Sequence, residues 1–414
     1  MSAETQPVAP KTSRITSIDA LRGFVMFMMI FVNDLAGAPE KIVPDWMVHF
    51  SDRHKHGSGM TFVDLVFPGF LFIVGMSIPF ALGGRLNKGE AVWKISGHVV
   101  TRTLALLALG ILMVNGESGG TDVWAATMFF SGVFAFCTIS PRGAETPGFW
   151  RLFTFGLRGL GLAGLLYSAL VFVNHRKHHM LTLYPLHLNT GWYGILGLIG
   201  WAYLAAAILF LIFRTHRTAL LGCVALLTGF FAADKNGFFE NFWPARFVDF
   251  GGTLGSQAAI TVAGLLLATI LVSADMTALK AKVKFTLLFI GGFAFAALLL
   301  NGLYGISKND ATPSWCFWSC AITAALWLGF YFFCDVRPVK FIARPLAAAG
   351  QNVLLAYLIS EMMESVFNLL HLGGWYDGLA EANLAAAIAR SVGCAVVILL
   401  ITVGLNRIGF RLKL

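Results

Sequence analysis

His54 and Asp64 stand ten residues apart in the run Asp52 to Ala81, DRHKHGSGMTFVDLVFPGFLFIVGMSIPFA. An imidazole titrates close to neutrality and serves as a general base when an acceptor proton is within reach. Asp64 opens a long apolar segment. A carboxylate at the edge of a membrane span is costly, which makes it a functional candidate. As a first-turn acid it equally suits the positive end of a helix. His56 competes with His54 for the role of base. Asn33, an amide at the end of an earlier apolar run, can donate to an oxyanion or bond a neighbouring helix.

Other polar residues interrupt apolar sequence further on. Lys308-Asn309-Asp310 and Thr312-Pro313-Ser314 form a polar loop, and Asn352, Tyr357, Ser360, Glu361 and Glu364 fall in one apolar stretch. Glu361 lies deep enough there to be costly unless paired. Asp19 and Arg22, three apart, have ion-pair spacing on a helix. His175, His178, His179 and His187 look metal-like, but no helical histidine pair is joined by a carboxylate, so they read as a loop or lid and no metal is expected. No glycine-rich phosphate loop is present. An anionic cofactor would therefore depend on arginines such as Arg102, Arg337 or Arg344. The six cysteines imply no disulfide framework.

The elements that carry these groups are set by composition. In 414 residues, 57% are hydrophobic and 12% charged, against about 25% charged in a soluble globule. Apolar runs of about 20 residues recur, enough to cross a bilayer as helices, whose backbone satisfies itself in lipid. The expected fold is an all-α polytopic membrane protein of about twelve (ten to twelve) spans, near 18–36, 61–83, 97–115, 121–138, 152–173, 190–213, 218–233, 257–274, 284–304, 314–334, 346–370 and 384–406. Pro68-Gly69 should kink the second.

With the N-terminus inside, the cytoplasmic segments hold eighteen of the thirty Lys and Arg and the opposite segments eight. The positive-inside rule then places both termini in the cytoplasm. The net charge of +9 is a topology signal, and no nucleic-acid partner is expected. A cytoplasmic tail over 1–17, a single membrane domain over 18–407 and a second tail over 408–414 complete the organisation. The first span reads as an uncleaved anchor. No internal repeat of the kind that builds many transporters is evident.

Arg14-Ile-Thr-Ser-Ile-Asp-Ala-Leu-Arg-Gly23, Phe31-Val-Asn33, His54 and Gly59-Met-Thr-Phe-Val-Asp64-Leu-Val-Phe-Pro68 together resemble the heparan-α-glucosaminide N-acetyltransferase family. The likeness returns at Lys308 to Ser314 and at Gly350-Gln-Asn352 through Tyr357 and Glu361. The resemblance implies acetyl transfer from cytoplasmic acetyl-CoA to the amino group of glucosamine or a glucosamine-containing saccharide across a bacterial inner membrane. It selects His54 over His56, with Asp64 and Asn33 as catalytic partners. It further implies Lys308, Asn309, Asn352 and Glu361 around the sugar, and it leaves Arg102 and Arg344 as contacts for the donor. A homodimer is an assembly open to such a protein. The chain departs from the family at Gly57, where a tryptophan is usual, and at Gly194-Ile-Leu-Gly-Leu-Ile199, where many members carry a Gln-Arg pair. The competing readings are an amino-sugar or muropeptide carrier and an O-acetyltransferase of surface polysaccharide.

Overall fold

The structure is a computed structural model that describes residues 15–54, 57–117, 119–140, 147–173, 179–184, 186–188 and 192–414. His56, His175, His178, the side chain of His187 and the first fourteen residues of the expected N-terminal tail lie outside the described residues.

Fifteen α-helices are described: α1 Thr16–Ala36, α2 Phe50–Arg53, α3 Val66–Asn87, α4 Val92–Glu117, α5 Asp122–Phe136, α6 Pro147–Val171, α7 Gly194–Phe213, α8 Arg217–Lys235, α9 Ala258–Val272, α10 Leu279–Tyr304, α11 Pro313–Tyr331, α12 Lys340–Ala349, α13 Val353–Leu369, α14 Gly373–Gly378 and α15 Leu384–Arg407. Among the described residues, strands are confined to two short antiparallel pairs, β1 Cys137–Ile139 with β4 Phe410–Leu412 and β2 Leu181–Leu183 with β3 Leu186–Leu188. Helix occupies all twelve stretches expected from hydropathy. Nine helices among the described residues are long and apolar enough to cross a membrane, and α12 with α13 makes a tenth if that pair is one span. The chain is an all-α polytopic membrane protein.

Three expectations change. The 346–370 stretch is not one rod: α12 and α13 meet at a bend of 70°. Pro68 does not kink α3, because it falls in the first turn, where a missing N–H leaves no hydrogen bond unmade. The 408–414 segment is not a free tail, because β4 pairs with β1.

The core is built round α9, buried without interruption from Ala258 to Ile270. A helix apolar on every side belongs inside its bundle. Against it, α3 packs backbone to backbone: a Cβ on Gly75 would stand 1.8 Å from the Thr261 carbonyl oxygen, and one on Gly264 would stand 2.0 Å from that of Phe72. Small residues permit this approach where lipid offers no hydrophobic drive between helices. At one end of the bundle α1 meets α12 equally closely through Gly23 and Gly350. There Asp335 caps α1, accepting from the backbone N–H groups of Thr16 and Ser17 at 2.9 and 3.0 Å. The C-terminal strand lies at that same end, joined to Asn352 beside Gly350. Arg22, Arg85, His98, Arg102 and Lys413 gather there, and this is termed the basic end.

Candidate functional site

At the opposite end, α1 delivers the chain into a folded-back segment, 37–54, that precedes α3. Arg53 pins it, donating to the carbonyls of Glu40 (2.8 Å) and Val43 (3.4 Å). Asp64 then falls in the single 3₁₀ turn Val63–Leu65 that opens α3. Its carboxylate accepts from the backbone N–H groups of Thr61 (3.0 Å) and Phe50 (3.1 Å). The reach back to Thr61 is half of a capping box. Only 1% of Asp64 is exposed, so its remaining lone pairs require a partner.

That partner is His49. Its Nδ1 stands 2.7 Å from Asp64 Oδ1. The two readings of Asp64, helix cap and orienter of an imidazole, are thus one structure. His54 is not the residue that Asp64 holds. Its ring stacks on Phe50 with centroids 4.5 Å apart, and it lines the cavity beside the pair rather than joining it. This corrects the sequence expectation. Nothing in local spacing marks His49, because its approach to Asp64 depends on the loop folding back.

Lys308 completes the group. Its Nζ lies 3.2 Å from Nδ1 and 3.0 Å from Nε2 of the His49 ring. A position equally near both nitrogens is over the ring face, since an in-plane one would collide with the carbon between them. Burial lowers the Lys308 pKa, against the opposing pull of Asp64 and Asp52. The Lys308 loop is tied to the loop before α3 by Gly59 N–H to the Ile306 carbonyl (2.9 Å) and Ile306 N–H to Ser58 Oγ (2.8 Å). Between these loops lies a cavity of about 490 Å³. His54, Asp64, Lys308 and Asn309, four of the residues picked from sequence, line it with Phe50 and Tyr304. Aromatic faces with several polar groups suit a sugar.

Asn33 and Glu361 form a separate pair. Asn33 Nδ2 donates to Glu361 Oε1 at 3.3 Å, and neither residue lines this cavity. The neighbouring Asp34, unmarked in the sequence reading, anchors that end of α1: Arg390 binds it at 3.1 Å, and Ser391 and Tyr376 donate to it. Asn352 does not line this cavity either. Its amide grips the C-terminal strand, accepting from Leu412 N–H (3.1 Å) and donating to the Phe410 carbonyl (3.3 Å).

A second cavity of about 500 Å³ opens at the basic end. Its mouth carries the cationic residues named above, and its depth is lined by Met26, Met29, Phe70, Val74 and Tyr357. Arg102 stacks over the Tyr203 ring at 4.7 Å, and its Nε is buried with no hydrogen-bond partner among the described residues. Such an orphaned guanidinium donor fits an anion. Arg22 bonds Asp19 at 2.9 Å, as the spacing predicted, and also Ser77 at 2.6 Å. Arg344 is exposed on α12 and does not line the cavity, which corrects its expected place among the donor contacts. No cluster of metal-binding side chains occurs among the described residues.

The two cavities are linked through α3, which lines the basic one and is opened by the turn that carries Asp64. From Arg22 to Met29 on α1, and from Ser77 to Phe70 on α3, is about 10 Å of rise. Asp64 lies about 9 Å beyond Phe70 on the same scale. The basic cavity thus ends one to two turns short of the His49–Asp64 pair.

Residues 14–119 match the profile of a domain of unknown function (DUF5009). This part of the chain also aligns with curated animal enzymes. The heparan-alpha-glucosaminide N-acetyltransferase of Mus musculus is 32% identical over 117 residues, and that of Homo sapiens 30% over 119. The N-terminal part is similar to heparan-alpha-glucosaminide N-acetyltransferase. Either match covers 28% of this chain and 16% of the relative. The matched part holds His49, Asp64 and Arg102, and it excludes Lys308 and the α13 residues.

Proposed function

We propose that the protein is a membrane acetyltransferase that moves acetyl from acetyl-CoA, bound at the basic end, to the amino group of glucosamine or a glucosamine-containing saccharide held in the polar cavity. In a bacterial inner membrane the basic end would face the cytoplasm and the polar cavity the periplasm. The observation that carries this reading is the 2.7 Å contact of His49 with buried Asp64, set beside a cavity suited to a sugar and above one suited to an anion on a slender arm.

The phosphates of the donor cannot enter lipid, but Arg22, Arg85 and Arg102 offer them charge at the mouth. The neutral thioester end can pass between Met26, Met29 and Phe70. Beside the other cavity Asp64 fixes His49 with Nδ1 as donor, which leaves Nε2, 3.0 Å from Lys308 Nζ, as the nitrogen able to accept a proton. Nε2 takes a proton from the sugar amine as nitrogen attacks the acetyl carbon, and Asp64 steadies the resulting imidazolium. Lys308 Nζ lies over the same ring, on the side of the Ile306–Asp310 loop. His54 lines the acceptor side.

Purified protein in detergent, given acetyl-CoA and glucosamine, should release free thiol and form N-acetylglucosamine. Absence of both products would favour the carrier reading. Thiol release with N-acetylglucosamine as acceptor, and not with glucosamine, would favour O-acetylation.

A further inference from the structure

The transfer proposed above needs an acceptor amine within reach of His49, and the protein carries one of its own. Lys308 Nζ stands 3.0 Å from His49 Nε2 and 3.2 Å from Nδ1, and the side chain lines the polar cavity. The turn that presents it is closely held. Ala311 N–H donates to the Lys308 carbonyl and Thr312 N–H to that of Ser307, each at 3.0 Å. Ala311 takes φ 48°, a left-handed conformation uncommon outside glycine. The titratable groups that face the amine are His49, Asp64 and Asp52. His54 and Asp310 line the same cavity, and Asp310 accepts from Ser307 Oγ at 2.8 Å. Asp64 and Asp52 favour the ammonium, but burial outweighs them and draws the Lys308 pKa below its ordinary 10.5. At a given pH more of this amine is unprotonated, and so nucleophilic, than of an exposed lysine such as Lys41.

We infer that Lys308 is a self-acetylation site: with no sugar bound, its amine takes the acceptor's place at His49 and receives the acetyl group of the donor, which closes the site. The inference rests on the acetyltransferase reading. The Nζ lone pair bonds to the acetyl carbon, the carbon–sulfur bond breaks, and its electron pair goes to sulfur. The flexible lysine stem lets Nζ move off the ring face to the in-plane lone pair of Nε2. Nε2 takes one amine proton, which reaches the sulfur through water. Amine and thioester become amide and thiol with no other reagent. The product is a dead end, because an amide is too poor an acyl donor to pass its acetyl group to a sugar amine. It leaves an acetyl group beside Nε2, where the sugar amine has to stand. Sugar and Lys308 thus compete for one base, and the protein is silenced when donor is present and acceptor is absent.

The test incubates the purified protein with isotopically labelled acetyl-CoA, with and without glucosamine, and locates acetylated lysines by peptide mass spectrometry. Without sugar, Lys308 should be labelled at least about tenfold faster than exposed Lys41, and His49→Gln should slow Lys308 by about a hundredfold while leaving Lys41 unchanged. Glucosamine should protect Lys308, a result read on wild-type protein and so independent of how the variant folds. The rate on glucosamine added later should fall in proportion to the fraction of Lys308 acetylated. Suppose that wild-type protein acetylates glucosamine. Labelling of Lys308 no faster than Lys41, equal labelling in His49→Gln, no protection by glucosamine, or a full rate after Lys308 is acetylated would then each overturn the inference and leave the acetyltransferase reading intact. Protein that releases no thiol from acetyl-CoA, with or without glucosamine, overturns that reading and the self-acetylation with it.

Discussion

The choice between His49 and His54 can be put to a quantitative test. His49→Gln keeps a donor for Asp64 and removes the base. Asp64 also retains the N–H groups of Thr61 and Phe50, so the variant does not strand a buried carboxylate and should fold. Loss of a general base costs about 10²–10⁴-fold in rate, or about 3–5 kcal/mol of transition-state stabilisation at 1.36 kcal/mol per decade. His54→Ala removes a ring stacked on Phe50 at 4.5 Å. Such a pair contributes about 0.5–1.5 kcal/mol. Even if all of that appeared in kcat/KM, the loss would be about tenfold. The assay is initial-rate acetylation of glucosamine with a thermal melt of each variant in detergent. His49→Gln should fall by at least about a hundredfold with an unchanged melt, and His54→Ala by no more than about tenfold. The opposite ranking would refute the reasoning: His54 would be the base, and the carboxylate contact to His49 a loop fastening.

Lys308→Met tests the cation over the ring. Because burial lowers the Lys308 pKa, its cost to the fold is fully present below the lowered value and is relieved as pH rises toward 10.5; Lys308→Met should therefore stabilise the protein at neutral pH, and the gain should shrink in alkaline melts. At the basic end, Arg102→Ala should weaken CoA binding by about 10–100-fold, the value of a charge-assisted hydrogen bond, while exposed Arg344→Ala should change it by less than about twofold, both read by isothermal titration. Gly75→Ala places a methyl 1.8 Å from the Thr261 carbonyl oxygen, and the separation of α3 from α9 it forces should lower stability by about 1–3 kcal/mol in the same melts.

What the sequence disclosed follows from how local each signal is. A bilayer demands long apolar helices whatever their neighbours, so the helical stretches could be read directly. Asp64 was legible because an acid in the first turn of such a helix is conspicuous. Its partner was not. His49 reaches Asp64 only because the loop folds back and Arg53 holds the carbonyls of Glu40 and Val43, contacts to which no periodicity points. Asn352 stood out as an amide in apolar sequence, but its use depends on β4, more than fifty positions later in the chain, supplying Phe410 and Leu412. Arg102 and Arg344 look alike as charges near span ends. Only packing shows that one guanidinium lies over Tyr203 with a buried free donor and the other meets solvent. The break at Gly350-Gln351-Asn352 carries a weak glycine signal, and the bend follows from the close approach of Gly350 to Asp19 and Gly23 on α1.

That close approach also bears on the choice between enzyme and carrier. An alternating-access carrier must rock one group of helices against another around a central site. Here α3 and α9 touch backbone to backbone at Gly75 and Gly264, and α1 touches α12 at Gly23 and Gly350. The basic cavity draws its walls from α1, α3 and α13, so these contacts lie in its own frame. Rocking would have to open interfaces with no side chain to slide and refill, because glycine leaves backbone against backbone. Close-packed interiors resist such deformation. Acetyl transfer needs no such motion. A thioester delivered about one to two helical turns from His49 has only a short distance left to cover, which side-chain rotation at Met29 and Phe70 can open while the helices stay in place.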